Sequence, residues 1–351
     1  MTFRYIGSKA RLADNLLSHI GTPSREETRF VDVFCGTGAV AEAASRNGWN
    51  VWVNDNLHSA AAMAVARIVT SQQVQFLKLG GYVSAVTRLN EVDPIQGFLW
   101  REYSPASIGF CGIERRYFTE DNAAKLDAMR STVAAWESRG FIDAIERTVL
   151  VADLLSATNR AANIAGTYGC FLSKWQNQAK AAVQVLPRKF SAASGNVEST
   201  VADVFSLELR DTDIAYLDPP YSKRQYASYY HILETLTLND EPVVEGVCGL
   251  RPWRDKASPF CYKIKALNAL ATLIEGLAAN RVLLSYSNEG HIQMDDLIQR
   301  LSQSGEVKLT PLLSVGRYRP NVTASGNGDT VTEYLVSYRK HAVQARKVSN
   351  G

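Results

Sequence analysis

The sequence predicts an α/β fold built on a mainly parallel sheet with helices on both faces. Three observations carry this reading. Apolar runs of strand length recur and are apolar almost throughout, as strands buried on both faces are. Segments with helical spacing alternate with the early runs, and strand–helix alternation implies parallel crossovers. The first run ends in a glycine turn that opens an alanine-rich helix, a strand-to-helix switch of the kind where open α/β sheets bind ligands.

Residues 5–20 read as a loop leading into an amphipathic helix with Leu12, Leu16 and Ile20 on one stripe. A strand is expected at 29–34, followed by Cys35-Gly36-Thr37-Gly38 and a helix at 38–47. A second strand at 50–54 ends in Asn54-Asp55-Asn56, with a helix at 57–70. Between 71 and 190 the alternation lapses: helical patterns fall at 121–137 and 141–158, with a glycine- and aromatic-containing stretch at 97–118. This stretch reads as an insertion, mostly helical. Strands resume at 198–203, 213–217 and 281–286, with helices at 225–238, 263–279 and 292–303. Strands at 307–315 and 330–338, joined by a Gly- and Asn-rich stretch, are expected to form an antiparallel pair at the sheet's end. The division that results is a sheet domain from 1–70 and 191–340, an inserted region at 71–190, and a basic, disordered tail at 341–351.

Composition sets wide bounds. The chain has 351 residues and a formal charge of +3, which permits a nucleic-acid partner without demanding one. Its five cysteines form neither C-x-x-C pairs nor His clusters, so no metal site is expected, and their odd number and scatter suit a reducing cytoplasm. No secretory leader is evident. The Ala60–Val69 run is short and broken by Arg67, so it reads as a packed helix and no membrane association is expected.

The most informative segment is Ile214-Ala-Tyr-Leu-Asp218-Pro219-Pro220-Tyr221. A buried strand ends there in a rigid turn carrying a carboxylate, two prolines and an aromatic ring. Asp218 can accept one hydrogen of a planar base's exocyclic amine, and the Pro219 carbonyl, held by the stiff Pro-Pro unit, the other. Tyr221 offers a face for stacking. Two acceptors draw the amine lone pair out of conjugation and make a poor nucleophile usable. Upstream, Gly36 and Gly38 let the backbone approach a ligand closely. Asp55 follows roughly 20 residues later, the spacing at which an acidic residue ending strand two reaches ribose hydroxyls. The pattern is neither GxGxxG nor a Walker motif, which disfavours dinucleotides and triphosphates.

In order, Tyr5-Ile-Gly-Ser-Lys9, Asp32 to Gly38, Asn54-Asp55, Asp203-Val204-Phe205 and Asp218 to Tyr221 resemble the blocks of Dam-like (alpha-type) adenine-N6 DNA methyltransferases. Arg224-Gln225-Tyr226 with Tyr230-His231-Ile-Leu-Glu234-Thr235 resembles the segment after the catalytic turn in restriction-modification members, and Leu283 to Gly290 their next core strand and its loop. The resemblance spans nearly the whole chain and is weakest at 70–150 and after 340.

It implies a Rossmann-like methyltransferase fold using S-adenosylmethionine (SAM), with the insertion as target-recognition region. The implied reaction is direct attack by N6 of a flipped-out adenine in double-stranded DNA on the SAM methyl group, at Asp218, Pro219, Pro220 and Tyr221. SAM would lie among Tyr5, Lys9, Asp32, Phe34, Gly36, Gly38, Asp55, Asn56, Asp203, Val204 and Phe205, with Asp218 at its reacting end. Within that set Asp55 takes the ribose, Asp32 and the glycine turn the methionine part, and Asp203 and Phe205 the adenine. A cap on the following turn is the lesser alternative for Asp203. DNA contacts fall to Lys9, Asn159, Arg160, Tyr168, Lys174, Arg224, Gln225 and Tyr226. Lys180, Arg188, Lys189 and the Arg251–Arg254 segment add cations suited to phosphates. A cognate restriction endonuclease is an implied partner.

Three alternatives stay open. An N4-cytosine methyltransferase could use the same grip. RNA or protein-glutamine methylation is another, although the glutamine enzymes carry Asn-Pro-Pro-Tyr where this chain has Asp218. The last is a silent DNA-binding relative. Cys35 reads as a core residue rather than a nucleophile, and His231 either orients a loop or packs in a helix.

Overall fold

In the computed structural model the described residues are 4–7, 9–10, 12–192, 196–312, 315–316 and 330–341. Strands β1 (Arg29–Asp32), β2 (Asn50–Asp55), β3 (Val197–Val201), β4 (Asp213–Leu217), β5 (Arg281–Ser287) and β6 (Gly305–Pro311) follow one another along the chain. A short pair, β7 (Val315–Gly316) and β8 (Thr330–Val331), precedes β9 (Glu333–Lys340). The main sheet has seven strands in the order β3-β2-β1-β4-β5-β9-β6. The first five are parallel, and β9 is antiparallel to both β5 and β6. The mainly parallel sheet with an antiparallel end is as the sequence predicts; the insertion of β9 between β5 and β6 is not legible in it. The connection through 317–329 and the tail at 342–351 lie outside the described residues.

The period-2 geometry of strands sorts the side chains into two cores. Phe30, Ile214, Tyr216 and Leu283 face one side, where the helices Ala39–Arg46 and His58–Ile68 pack. Val31, Ala215, Leu217, Val282 and Leu284 face the other, under the helices Lys263–Gly276 and Met294–Leu301. The His58–Ile68 helix is buried almost all round, because the long helix Ala144–Ala161 covers its outer face. The 71–190 region therefore shares the first core, with Phe76, Phe98, Leu126 and Val149 in the same cluster. Its other long helix is Glu120–Ser138. The expected helix at 225–238 is two, Tyr226–Tyr229 and His231–Leu238, broken at Tyr230.

One pairing was invisible in the sequence. Cys170 and Cys248, 78 residues apart, form a disulfide joining the loop after Ala144–Ala161 to the loop before Arg251. The odd number and scatter of the five cysteines, read from the sequence as suited to a reducing cytoplasm, gave no sign of this bridge. Cys35 and Cys261 are buried free thiols, and Cys111 is an exposed one. Among the described residues no helix is long and apolar enough to cross a membrane, and no group of three or more His, Cys, Asp or Glu is placed to hold a metal ion.

Candidate active site

Because the chain turns from β1 to β2 on one side and to β4 on the other, β1 and β4 frame the topological switch point of the sheet. At their carboxyl ends opens a cavity enclosing about 1080 Å³, part of it open to solvent. It brings together Tyr5, Lys9, Asp32, Phe34, Gly36, Asp55, Asn56, Asp203, Val204, Phe205 and Asp218 from five separate stretches of chain. Pro220, Gln225 and Tyr226 line it as well.

The glycine turn is fixed from below. Gly38 has φ +76°, and a Cβ there would stand 2.5 Å from Ala64 Cα in the His58–Ile68 helix. Gly36 has φ +49°, and a Cβ would meet the Tyr5 ring at 3.2 Å. Asp55 holds this turn from the side: Oδ2 accepts from Gly36 N (3.0 Å) and Oδ1 from Leu57 N (3.0 Å). Burial pushes the Asp55 pKa up to about 6 despite these two donors. Asp32 is buried, and its Oδ1 has no hydrogen-bond partner among the described residues. Burial, with the charges of Asp218 and Asp55 nearby, holds its pKa well above the usual carboxylate range. A buried carboxylate oxygen without a partner is costly to a folded protein and marks a place where a donor from a ligand would be welcome.

Asp218 follows β4 directly. Its Oδ1 lies 3.1 Å from Lys9 Nζ, an ion pair off the line of a directed hydrogen bond. Burial raises the Asp218 pKa to about 6; Lys9 pulls it down and Glu333 pushes it up. Burial alone would lower the Lys9 pKa, but Asp218, Tyr221 and Glu333 outweigh it and raise it. Tyr221 is half-buried, edge-on to Tyr286 at 5.7 Å, and its carbonyl accepts from His291 N (3.2 Å). The loop after β5 thus props the Pro-Pro turn.

The Tyr5–Lys9 block closes one wall. Tyr5 stacks on Tyr230 (4.2 Å between centroids), Tyr230 Oη accepts from Ile6 N (2.7 Å), and Tyr226 Oη donates to Ile6 O (3.2 Å). The opposite wall, Asp255 to Phe260, was not foreseen. It is irregular, with no period to betray it. Gln225 grips it through both atoms of its amide, to Ser258 N (2.8 Å) and Ser258 O (3.2 Å). Lys256 anchors it to Glu234 (3.1 Å) and Asn56 O (2.9 Å). Phe260 stacks against Phe205 (5.9 Å) and stands edge-on to Phe34 (5.5 Å), an aromatic cluster in the cavity lining. Asp203 caps the short turn before Phe205, accepting from Phe205 N (2.9 Å).

Several residues expected to face DNA are placed otherwise. Asn159 is buried and bonds Arg4, accepting from its backbone N at 3.0 Å. Tyr168 is fully buried; its carbonyl accepts from Tyr117 Oη (3.0 Å). Gln225 is buried on Ser258, and Tyr226 points into the cavity. Arg188 is tied to Asp153 (2.7 Å) and to Ala66 O. Arg160 is partly buried and donates to Gln184 O (2.8 Å). Lys174, Lys180, Lys189, Lys223 and Arg224 are exposed. Backbone groups claimed the side chains of Asn159 and Gln225, a demand that sequence spacing does not reveal. His231 is a packed histidine: burial lowers its pKa to about 3, and Nε2 lies 2.9 Å from Tyr168 O. Cys35 is buried with its pKa raised, unlike an activated thiol.

The sequence model of the family described as "D12 class N6 adenine-specific DNA methyltransferase" matches residues 5–299. The chain belongs to this family. It is 35% identical over 309 residues to the type II methyltransferase M.FokI of Planomicrobium okeanokoites, covering 86% of this chain and 47% of M.FokI. It is 32% identical over 310 residues to the modification methylase StsI of Streptococcus sanguinis, covering 86% of this chain and 46% of StsI. The chain thus spans about half the length of these two relatives. To the type II methyltransferase M.NlaIII of Neisseria lactamica it is 30% identical over 337 residues, covering 94% of this chain and 97% of that one. The matched span of the D12 class contains every residue that lines the cavity.

Proposed function

We propose that the chain is a SAM-dependent DNA methyltransferase that modifies adenine N6 within a specific sequence, as the modification arm of a restriction-modification system. The observation that carries this is one cavity joining Asp218, the glycine turn, Asp55 and the partnerless Asp32 oxygen. The adenine-specific family favours N6 over the N4-cytosine alternative. The names of M.FokI and M.NlaIII as type II methyltransferases favour a cognate endonuclease as partner and the cytoplasm, where such DNA lies, as workplace.

The residues present fit SAM. Asp55 keeps a lone pair on each oxygen for ribose hydroxyls after its backbone bonds are made. Asp32 offers a carboxyl acceptor that the charge of an arriving ammonium would hold ionised, and the Phe205–Phe260 rings offer apolar surface suited to a purine. When bound, SAM supplies a methyl group on a sulfonium, already a strong electrophile. The chain's task is placement. Asp218 and the Pro219 carbonyl hold the amine of the flipped base, each hydrogen bond to an ionised group being worth about 1.5–3 kcal/mol. Stacking on Tyr221 returns about 1–3 kcal/mol of the cost of unstacking. Ionised Asp218 accepts from the amine while the methyl group is transferred, and the surplus proton then passes to Asp218 or to water. Lys174, Lys223 and Arg224 supply exposed cations for phosphates.

Single-molecule sequencing of host DNA tests this reading. Cells expressing the chain should carry methylated adenines in one recurrent motif, and cells expressing Asp218→Ala none. Unmodified DNA in the first, or modification in the second, defeats it.

A further inference from the structure

Lys9 Nζ stands between two carboxylates distant in the chain, half-buried Asp218 and buried Glu333. Asp218 Oδ1 is 3.1 Å away, and the Glu333 oxygens are 3.3 and 3.4 Å away. Glu333 is 7% exposed and is the first residue of β9, paired in register with Ser287 of β5 while its carbonyl accepts from Leu312 N (2.9 Å). The grip on a base amine requires only Asp218, so the second carboxylate is unexplained. The arrangement also poses a conflict. The oxygen that should receive an amine hydrogen already faces an ammonium.

We propose that Glu333 is the alternative seat for the Lys9 ammonium, drawing it off Asp218 as the target amine arrives. This rests on the assignment of Asp218 to the amine. An ammonium has three donors and rotates about a flexible stem. With Glu333 behind it, Lys9 yields a contact on Asp218 without any buried charge losing its partner, a loss that proteins tolerate poorly. Without Glu333, Lys9 has Asp218 alone and competes with the base. Glu333 is thus a positioning residue acting through Lys9.

The groups that face Asp218 fix the sign of the pH effect. They are Lys9 from the N-terminal loop, Asp32 from β1, Tyr216 from β4, Tyr221 from the turn, Tyr226 from the following helix, and Glu333 from β9. Burial raises the tyrosine pKa values, that of Tyr221 to about 12, so they stay neutral at working pH. Removing the Glu333 charge takes away a repelling neighbour and leaves Lys9 wholly to Asp218. Asp218 then ionises more readily, yet is less available.

The test uses the full chain, tritiated SAM and plasmid DNA from a methylation-deficient host. Glu333→Gln should lower kcat roughly ten- to a hundredfold, the worth of one hydrogen bond to a charged group. It should leave SAM affinity by calorimetry unchanged and move the acid limb of kcat/KM to lower pH. Glu333→Asp should fall between wild type and Glu333→Gln in both readouts, and it carries the test if Glu333→Gln does not fold. In a Lys9→Met background Glu333→Gln should cost nothing further. Undiminished kcat, an unmoved acid limb, or an equal loss in the Lys9→Met background overturns the proposal alone. A wild-type chain that binds SAM but methylates no adenine overturns the parent assignment and this one together.

Discussion

Gly38→Ala isolates how tightly the glycine turn is packed. Gly38 and Gly112 share a left-handed backbone, with φ/ψ of 76°/21° and 70°/8°. Alanine in that region costs about 1–2 kcal/mol, of which about 0.4–1 kcal/mol is offset by the stiffer unfolded chain. That predicts a net loss near 0.5–1 kcal/mol at Gly112, where nothing lies within 4 Å of an added Cβ. At Gly38 the same methyl meets Ala64 Cα at 2.5 Å and Ala64 Cβ at 2.7 Å, both on a helix buried between two layers. Backbone cannot turn aside as a side chain does, and overpacking of this kind adds about 1–3 kcal/mol. Gly38→Ala should therefore lose about 2–4 kcal/mol, measured by urea unfolding of both variants beside wild type. Equal losses at the two positions would show that the close approach of turn and helix is not the constraint argued above.

Asp55→Ala should weaken SAM binding about a hundredfold or more by calorimetry, since it removes a charged acceptor and strips Gly36 N and Leu57 N of their partner. Unchanged affinity would refute its ribose role. Asp218 and Asp55 both carry pKa values near 6, so the acceptors are lost as pH falls through that value, and kcat/KM should drop below about pH 6. These folded-state values lie above those of the unfolded chain. The same two groups therefore make folding more favourable as pH falls from above 6 toward 4, a divergence of stability from activity that paired melts and rate profiles would detect. Lys174→Glu should weaken DNA binding and flatten its salt dependence, read by titration at two salt concentrations, with SAM affinity untouched.

Much of the sheet and half the cavity were legible because their signals are local. Runs such as Phe30 to Phe34 and Ile214 to Leu217 can bury both faces only in a covered parallel sheet, and Asp218-Pro219-Pro220-Tyr221 constrains its own backbone. The wall from Asp255 to Phe260 is irregular and is held by Gln225, Lys256 and Glu234, contacts that only the fold creates. Glu333 was missed for a similar reason: its strand position is ordinary, and only the insertion of β9 beside β5 brings it to Lys9. Asn159 and Tyr168 carried the polarity and planarity expected of a DNA reader. Tertiary packing set Asn159 to holding the backbone of Arg4 and sank the Tyr168 ring in the core.

The sheet order has a consequence for how the protein is made. Strand β6 leaves the ribosome before β9 but has no place beside β5 until β9 arrives between them. A nascent chain halted after residue 311 would carry an open β5 edge, an unclaimed sixth strand and a Lys9 lacking one of its two carboxylates. Both the closing of the sheet and the completion of the Lys9 pocket thus wait on the same late segment, Glu333–Lys340.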